Sequence, residues 1–165
     1  GFEVGTDYSH RADIQLLGRD GTSLTEAWAG GVRSLHGMHV NGFPNCFIMS
    51  NSQAGFTASY PHLLDEQAKH LTYIIKAASD KGCVEVEVTE QSETRWVQHC
   101  IDKARDAGDF LENCTPGYYN NEGRAGDRNA QDGFYGGGSV EFFRLLQEWR
   151  DEGGLEGLEL KPSEA

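Results

Sequence analysis

The stretch at residues 42–56, GFPNCFIMSNSQAGF, decides how the fold is interpreted. It opens with a Gly-Phe-Pro-Asn turn, runs apolar over residues 46–49, and then breaks into small polar residues. A helical pattern follows directly. We therefore predict a buried strand at residues 46–49 that leads through a polar loop to the N-terminus of a helix.

The composition bounds the class of protein. A chain of 165 residues is long enough for one domain with a hydrophobic core. Its formal net charge of -12 argues against nucleic acid and against an anionic membrane surface, because both attract clustered Lys and Arg. No apolar run approaches the roughly 20 residues of a membrane-spanning helix. We expect a globular, cytoplasmic protein.

The cysteines and histidines give no sign of a metal site. Cysteines stand far apart and form no CxxC pair, at Cys46, Cys83, Cys100 and Cys114. We interpret them as reduced thiols. His36 and His39 are three residues apart, but no second ligand pair stands at metal spacing, so we expect no zinc.

Periodicity predicts three helices, over residues 61–78, 90–107 and 140–152. Pro61 suits a first helical turn, with Ser59 as a possible cap, and Ser139 is the expected cap of the third helix. A strict alternation predicts a strand at 83–88 with one face buried and one wet, and shorter strands are predicted at 14–17 and 158–160. The order of elements indicates a mixed α/β fold with long loops.

Apolar spacing predicts which helical faces are buried. In the first helix these positions are Leu64, Ala68, Leu71, Ile75 and Ala78. In the second they are Trp96, Val97, Cys100, Ile101 and Ala104. In the third they are Phe142, Phe143, Leu146 and Trp149.

Three loops are candidate sites. The polar loop at 51–59 offers free backbone N–H groups beside a helix N-terminus, which favours an anionic or carbonyl-bearing ligand, although an ordinary connection fits as well. Tyr118 and Tyr119, in the long loop at 111–138, have rings able to stack on a flat ligand or to pin the loop to the core. Residues 135–139, YGGGS, lack the third glycine of GxGxxG and the Lys of a phosphate loop, so we interpret them as a lead-in to a helix.

Five stretches together resemble the C-terminal part of a Baeyer–Villiger monooxygenase, a class B flavoprotein monooxygenase. They are LHGMHVNGFPNCFIMSNSQAGF at 35–56, HLLDEQAKHLTYII at 62–75, TRWVQHC at 94–100, CTPGYYNNEG at 114–123, and YGGGSVEFFRLLQEWRDEGGLEGLEL at 135–160. The resemblance implies part of a two-domain FAD- and NADP-binding fold. Residues 1–82 would complete the FAD-binding domain, and residues 83–165 would form an α/β extension that carries the loop 111–138.

The resemblance implies a concrete reaction. FAD is reduced by NADPH and reacts with O2 to give a flavin C4a-peroxide, which attacks a ketone and yields an ester or lactone. The cofactors carry the chemistry and the protein positions them. Residues implied at the flavin are Asn51, Ser52, Tyr60, Pro61, His62 and Leu63. Tyr118 matches a position at which many relatives place a Trp that contacts the nicotinamide ribose.

Other features of the family are missing from these 165 residues. Neither of its GxGxxG fingerprints nor its FxGxxxHxxxW segment occurs here, and no Arg can be assigned the catalytic role. We therefore expect a portion of a larger enzyme that is inactive on its own and that needs the remaining part. Two alternatives stay open: a non-catalytic remnant or partner module, and a relative that oxygenates nitrogen or sulfur.

Overall fold

The computed structural model describes residues 13–104, 115 and 129–163. Within them the helices are α1 (Leu24–Ala27), α2 (Tyr60–Asp80), α3 (Glu90–Lys103), α4 (Asn129–Asp132) and α5 (Ser139–Glu152), and the strands are β1 (Cys83–Val88) and β2 (Leu158–Pro162). The three predicted long helices are confirmed, as are the strands at 83–88 and 158–160. The predicted mixed α/β class is confirmed.

Helix α2 buries a different face from the predicted one. Ser59 occupies the N-cap position without a side-chain hydrogen bond, and Pro61 lies in the first turn as expected. The buried positions are Leu63, Gln67, His70, Leu71, Ile74 and Ala78. Ala68 is exposed and Ile75 is 50% exposed, so the predicted stripe is wrong at these positions. The buried face of the helix is rotated from the predicted one because Gln67 and His70, although polar, are fully buried.

Helices α3 and α5 begin and end by identifiable caps. The Thr89 side chain accepts a hydrogen bond from the backbone N–H of Ser92 at the start of α3. Helix α3 ends at Lys103, four residues before the predicted end, and Ile101 is 37% exposed rather than buried. The cap of α5 is Gly138, with φ 86°, so the assignment of Ser139 as the cap is wrong.

The two strands form an antiparallel sheet. Val86 pairs with Leu160 and Val88 with Leu158, and the two valines are buried while Val84 is 62% exposed. The expected alternation therefore holds only over the second half of β1. Along the other edge of β1, Asn45 replaces a strand: its N–H donates to the Val86 carbonyl at 2.9 Å, and its side-chain oxygen accepts from the Val86 N–H at 3.0 Å.

The stretch at 46–49 is not a strand. Its backbone contacts include an isolated bridge between His39 and Phe47, a 2.9 Å hydrogen bond from the Ile48 N–H to the Met38 carbonyl, and a local 3.2 Å hydrogen bond from the Cys46 N–H to the Phe43 carbonyl. Residues 14–17 likewise contain only an isolated bridge, between Leu17 and Ser23. Both predicted strands are wrong because no neighbouring described strand pairs with them.

The main hydrophobic core joins both halves of the chain. Its buried residues are Leu35, Met38, Ala54, Leu63, Leu71, Val88, Trp96, Cys100, Tyr135, Phe142 and Leu146. The polar loop and helix α2 therefore pack directly on α3 and α5. Between residues 13 and 163, leaving out the undescribed segments, no helix has the length and apolar character that crossing a membrane requires.

Candidate functional site

Hydrogen bonds hold the start of the polar loop that follows the 46–49 stretch. The Gln67 side chain on α2 donates to the Ser50 carbonyl at 2.8 Å. The Ser52 N–H donates to the Ser50 hydroxyl at 3.3 Å, and the Ala54 N–H donates to the Asn51 carbonyl at 3.3 Å. Asn51 and Ser52 are therefore half-buried in a defined turn whose outer side faces solvent.

The start of α2 presents three of the predicted residues at the surface. Tyr60, Pro61 and His62 are exposed, and the His62 ring packs against Phe143 with centroids 4.9 Å apart. Leu63 differs, because its side chain is fully buried in the main core. The structure thus exposes Tyr60, Pro61 and His62 together at a helix N-terminus, where the dipole favours negative charge, and turns Leu63 inward. The prediction for Tyr118 lies outside the described residues.

Gln53 joins the polar loop to three other segments and was not singled out from the sequence. Its side-chain oxygen accepts from the Ser34 hydroxyl at 2.6 Å, and its side-chain nitrogen donates to the carbonyls of Val32 at 2.7 Å and Gln131 at 3.0 Å. Its own carbonyl accepts from the indole N–H of Trp96 at 3.2 Å. A polar residue after a turn is normally exposed, so no sequence pattern indicated this burial.

The polar loop also pairs with the segment that follows α4. The Gln53 N–H donates to the Gly133 carbonyl at 2.7 Å, and the Tyr135 N–H donates to the Ala54 carbonyl at 2.9 Å. The same two segments also meet through Phe56 and Phe134, whose rings stack with centroids 4.4 Å apart. The described end of the predicted loop 111–138 is therefore fastened to the polar loop.

Close packing requires glycine at two positions of the stretch 136–138. A Cβ atom at Gly136 would collide with the carbonyl of Lys103, and one at Gly137 would lie 2.5 Å from the Tyr135 ring. The Tyr135 hydroxyl donates to the Glu141 carboxylate at 2.6 Å. Burial and this carboxylate raise the pKa of Tyr135, and the hydrogen bond from Tyr135 lowers the pKa of Glu141. This geometry agrees with our interpretation of the stretch as the lead-in to a helix.

A cluster of buried histidines lies in the fold and was not predicted from the sequence. His36, His39 and His70 are at most 6% exposed, and burial lowers their pKa values to about 3, 4 and 2 respectively. His36 also lines an open cavity of about 350 Å³ formed with Leu35, Ser92, Arg95, Trp96, His99, Trp149 and Glu156. The spacing of Leu63, Gln67, His70 and Ile74 places them on one helical face, and it was the pattern that could have indicated the burial of His70. That pattern is not apolar, because Gln67 and His70 are polar.

Comparison with known proteins reveals close similarity over nearly the whole chain, although no family model matches it. Pentalenolactone D synthase of Streptomyces exfoliatus is 48% identical over 159 residues, which cover 96% of this chain and 27% of that protein. A Baeyer–Villiger monooxygenase of Streptomyces coelicolor is 40% identical over 92% of this chain and 25% of its own length.

A solved structure extends the similarity to the fold. The polycyclic ketone monooxygenase of the thermophilic fungus Thermothelomyces thermophila superposes with a TM-score of 0.82 and 34% identity, over 93% of this chain and 25% of that one. In sequence and in fold, the chain is therefore similar to a segment of that monooxygenase. More narrowly, the chain is a sequence relative of the Baeyer–Villiger monooxygenases, as its motifs indicated. It spans about a quarter of the length of the curated relatives it matches.

Proposed function

We propose that this chain is a working part of a flavin-dependent Baeyer–Villiger monooxygenase, an enzyme that uses NADPH and O2 to insert an oxygen atom beside a ketone carbonyl. The observation that carries the proposal is the superposition on a polycyclic ketone monooxygenase at 34% identity over 93% of the chain. An ester or lactone would be the product.

The exposed residues at the start of α2 fit one side of a flavin site. Asn51 and Ser52 present polar groups from a fixed turn, and Tyr60, Pro61 and His62 stand at the helix N-terminus. The dipole of a 21-residue helix favours negative charge at that end, and a flavin ring gains negative charge on reduction. Leu63 would contribute through its backbone, since its side chain lies in the core.

When FAD is bound and has been reduced by NADPH, it would activate O2. The residues of this chain would hold and orient the cofactors rather than react. Tyr118, on the loop 111–138, is proposed to contact the nicotinamide ribose. The free thiols of Cys46, Cys83 and Cys100 support a reducing compartment, and we propose the cytoplasm.

The test uses the longest natural polypeptide that contains this sequence, purified and incubated with NADPH, O2 and a panel of cyclic and polycyclic ketones. We expect the protein to carry FAD, and we expect mass spectrometry to detect products that have gained one oxygen atom and are cleaved by an esterase. The 165-residue chain alone should produce none. If only amines or sulfides are oxygenated, the ketone assignment is wrong and the protein is a nitrogen- or sulfur-oxygenating relative. Absence of bound flavin would favour a non-catalytic module.

A further inference from the structure

The cavity that His36 lines, of about 350 Å³, lies between α3, the end of α5 and residues 35–36. Its volume is that of a site for a small molecule, and none of its lining residues is among those proposed at the flavin or the nicotinamide. We propose that this cavity binds a small, uncharged aromatic molecule that carries a hydroxyl group. The inference goes beyond the proposed function and does not depend on it.

Two tryptophans supply the apolar walls of the cavity. Trp96 is buried on α3, and Trp149 is half-buried on α5. The indole N–H of Trp96 donates to the Gln53 carbonyl at 3.2 Å, and that of Trp149 donates to the Glu156 carbonyl at 3.0 Å. Because both N–H groups are already used, the two indoles offer ring surface to the cavity, which suits a flat aromatic ligand.

His36 supplies a polar group on the inner side of the cavity. It is 6% exposed, the exposed part opens into the cavity, and its Nδ1 has no hydrogen-bond partner among the described residues. Its ring is nearly perpendicular to those of Trp96 and Trp149, with centroids 4.8 and 5.9 Å away, so its orientation is fixed. A buried polar group without a partner costs free energy, and a hydrogen bond with a ligand would offset that cost.

The imidazole of His36 favours a hydroxyl group on the ligand. Burial lowers the pKa of His36 to about 3, so the ring is neutral near neutral pH. A neutral imidazole has one nitrogen that donates a hydrogen bond and one that accepts. A hydroxyl group can do either, so it matches whichever nitrogen of His36 faces the ligand.

A second imidazole, that of His99, lines the same cavity. The Tyr135 hydroxyl donates to Glu141 at 2.6 Å, so in the 3.0 Å contact between His99 and Tyr135 the Nε2–H of His99 is the donor. In a neutral His99 ring, Nδ1 is then an acceptor. A ligand hydroxyl suits this ring as well, because it can donate.

The charges at the rim of the cavity oppose each other. Arg95 and Glu156 are exposed and form an ion pair at 3.3 Å, and Arg95 also donates to the Ser92 hydroxyl at 2.9 Å. A charged ligand would lose its hydration in the cavity while both rim charges are already paired and His36 is neutral. We therefore infer an uncharged ligand.

The test uses the full-length polypeptide that contains this sequence, labelled with 5-fluorotryptophan, and 2-naphthol as the probe. Fluorine NMR follows Trp96 and Trp149, whose signals are assigned by replacing each residue with Phe, and Trp28, which does not line the cavity, is the internal reference. We expect the signals of Trp96 and Trp149 to shift together with a Kd on the order of 100 µM. The Trp28 signal should not move.

Two further probes test the chemical class of the ligand. Naphthalene lacks the hydroxyl group and should bind at least about tenfold more weakly than 2-naphthol. The anion 2-naphthoate should also bind more weakly than 2-naphthol. Equal affinities for naphthalene and 2-naphthol would overturn the proposal, and so would 2-naphthoate binding as tight as that of 2-naphthol.

Variants test the role of His36. His36→Phe keeps the size of the ring and removes both nitrogens, so it should weaken 2-naphthol binding to the level of naphthalene and leave naphthalene binding unchanged. His39→Phe is the matched control, because His39 is also buried with an unpartnered ring nitrogen among the described residues but does not line the cavity. His39→Phe should leave both affinities unchanged.

Several results would overturn the proposal: unshifted Trp96 and Trp149 signals, an unchanged 2-naphthol affinity in His36→Phe, or an equal loss in His39→Phe. If His36→Phe does not fold, the comparison of 2-naphthol with naphthalene in the wild type decides. No readout requires flavin or NADPH, so failure of the proposed monooxygenase function and failure of this proposal are separate results.

Discussion

The imidazole rings of His36 and His70 meet edge to face in the core, with centroids 5.3 Å apart. A guanidinium N–H of Arg150 points to Nδ1 of His70 at 3.5 Å. Arginine can only donate, so Nδ1 accepts and the ring proton lies on Nε2, which has no hydrogen-bond partner among the described residues. These rings are held neutral by burial, and a proton added to either would face Arg150 or the other ring.

This arrangement predicts that the fold is sensitive to acid. The pKa values of His36, His39 and His70 in the folded chain, about 3, 4 and 2, lie below the ordinary value of 6.5. The unfolded chain therefore takes up protons first, and stability that is complete above pH 6.5 is lost as the pH falls below it. We expect the free energy of unfolding to drop by about 1 kcal/mol per pH unit for each histidine, measured by urea titration between pH 7 and pH 4.5.

Replacement of one ring separates this effect from general acid denaturation. His70→Leu removes one titrating group, so its pH dependence should be shallower than that of the wild type. His62→Gln is the control, because His62 is exposed on the same helix. Equal slopes for wild type and His70→Leu would refute the role of the cluster.

A second prediction concerns the core side of α5. The Phe142 side chain is fully buried and so close to Gly55 of the polar loop that a Cβ atom there would lie 2.9 Å from its ring, while Val140 on the same helix is 83% exposed. Phe142→Ala should lower the free energy of unfolding by about 3–5 kcal/mol, because it leaves a cavity. Val140→Ala should change it by less than about 0.5 kcal/mol. Denaturant titration measures both, and similar values for the two variants would contradict this packing.

The helices and their order were predictable from the sequence because local signals determine them. Thr89 caps α3 through the N–H of Ser92, and Gly153 ends α5 with φ 72°. The absence of a strand at 46–49 was not predictable in the same way. The apolar residues there indicate burial, but a strand also requires a partner in register, and composition says nothing of partners.

The candidate site was predictable only in part. The half-buried turn at Asn51 and Ser52 follows from polar composition, and the exposed start of α2 follows from Pro61. The burial of Gln53 and of His70 does not, because polar residues are assigned to the surface unless their hydrogen-bond partners are known. Those partners, Val32 and Gln131 for Gln53, are distant in the sequence.

A third prediction tests the close approach of two backbones. Gly136 lies so near the Lys103 carbonyl that a Cβ atom would collide with it, whereas a Cβ at Gly154 would meet no atom within 4 Å. Gly136→Ala should destabilise the chain by about 1–3 kcal/mol through this overlap. Gly154→Ala should be neutral or stabilise it by about 0.5 kcal/mol. Thermal unfolding of both variants gives the answer, and a neutral Gly136→Ala would show that α3 and the glycine stretch are further apart.

The last prediction follows from the polarity of α2. If its N-terminus faces the flavin, binding of FAD to the full-length polypeptide should shield the turn at Asn51 and Ser52 and the exposed first turn of the helix, where Tyr60 is 44% exposed. Amide hydrogen exchange at residues 51–62 should then slow on addition of FAD. Residues 76–81, at the opposite end of the same helix some 30 Å away by its rise per residue, should exchange at an unchanged rate. Equal slowing at both ends would indicate general stabilisation by the ligand rather than contact, and slowing at residues 76–81 alone would place the flavin at the wrong end of the helix for this assignment.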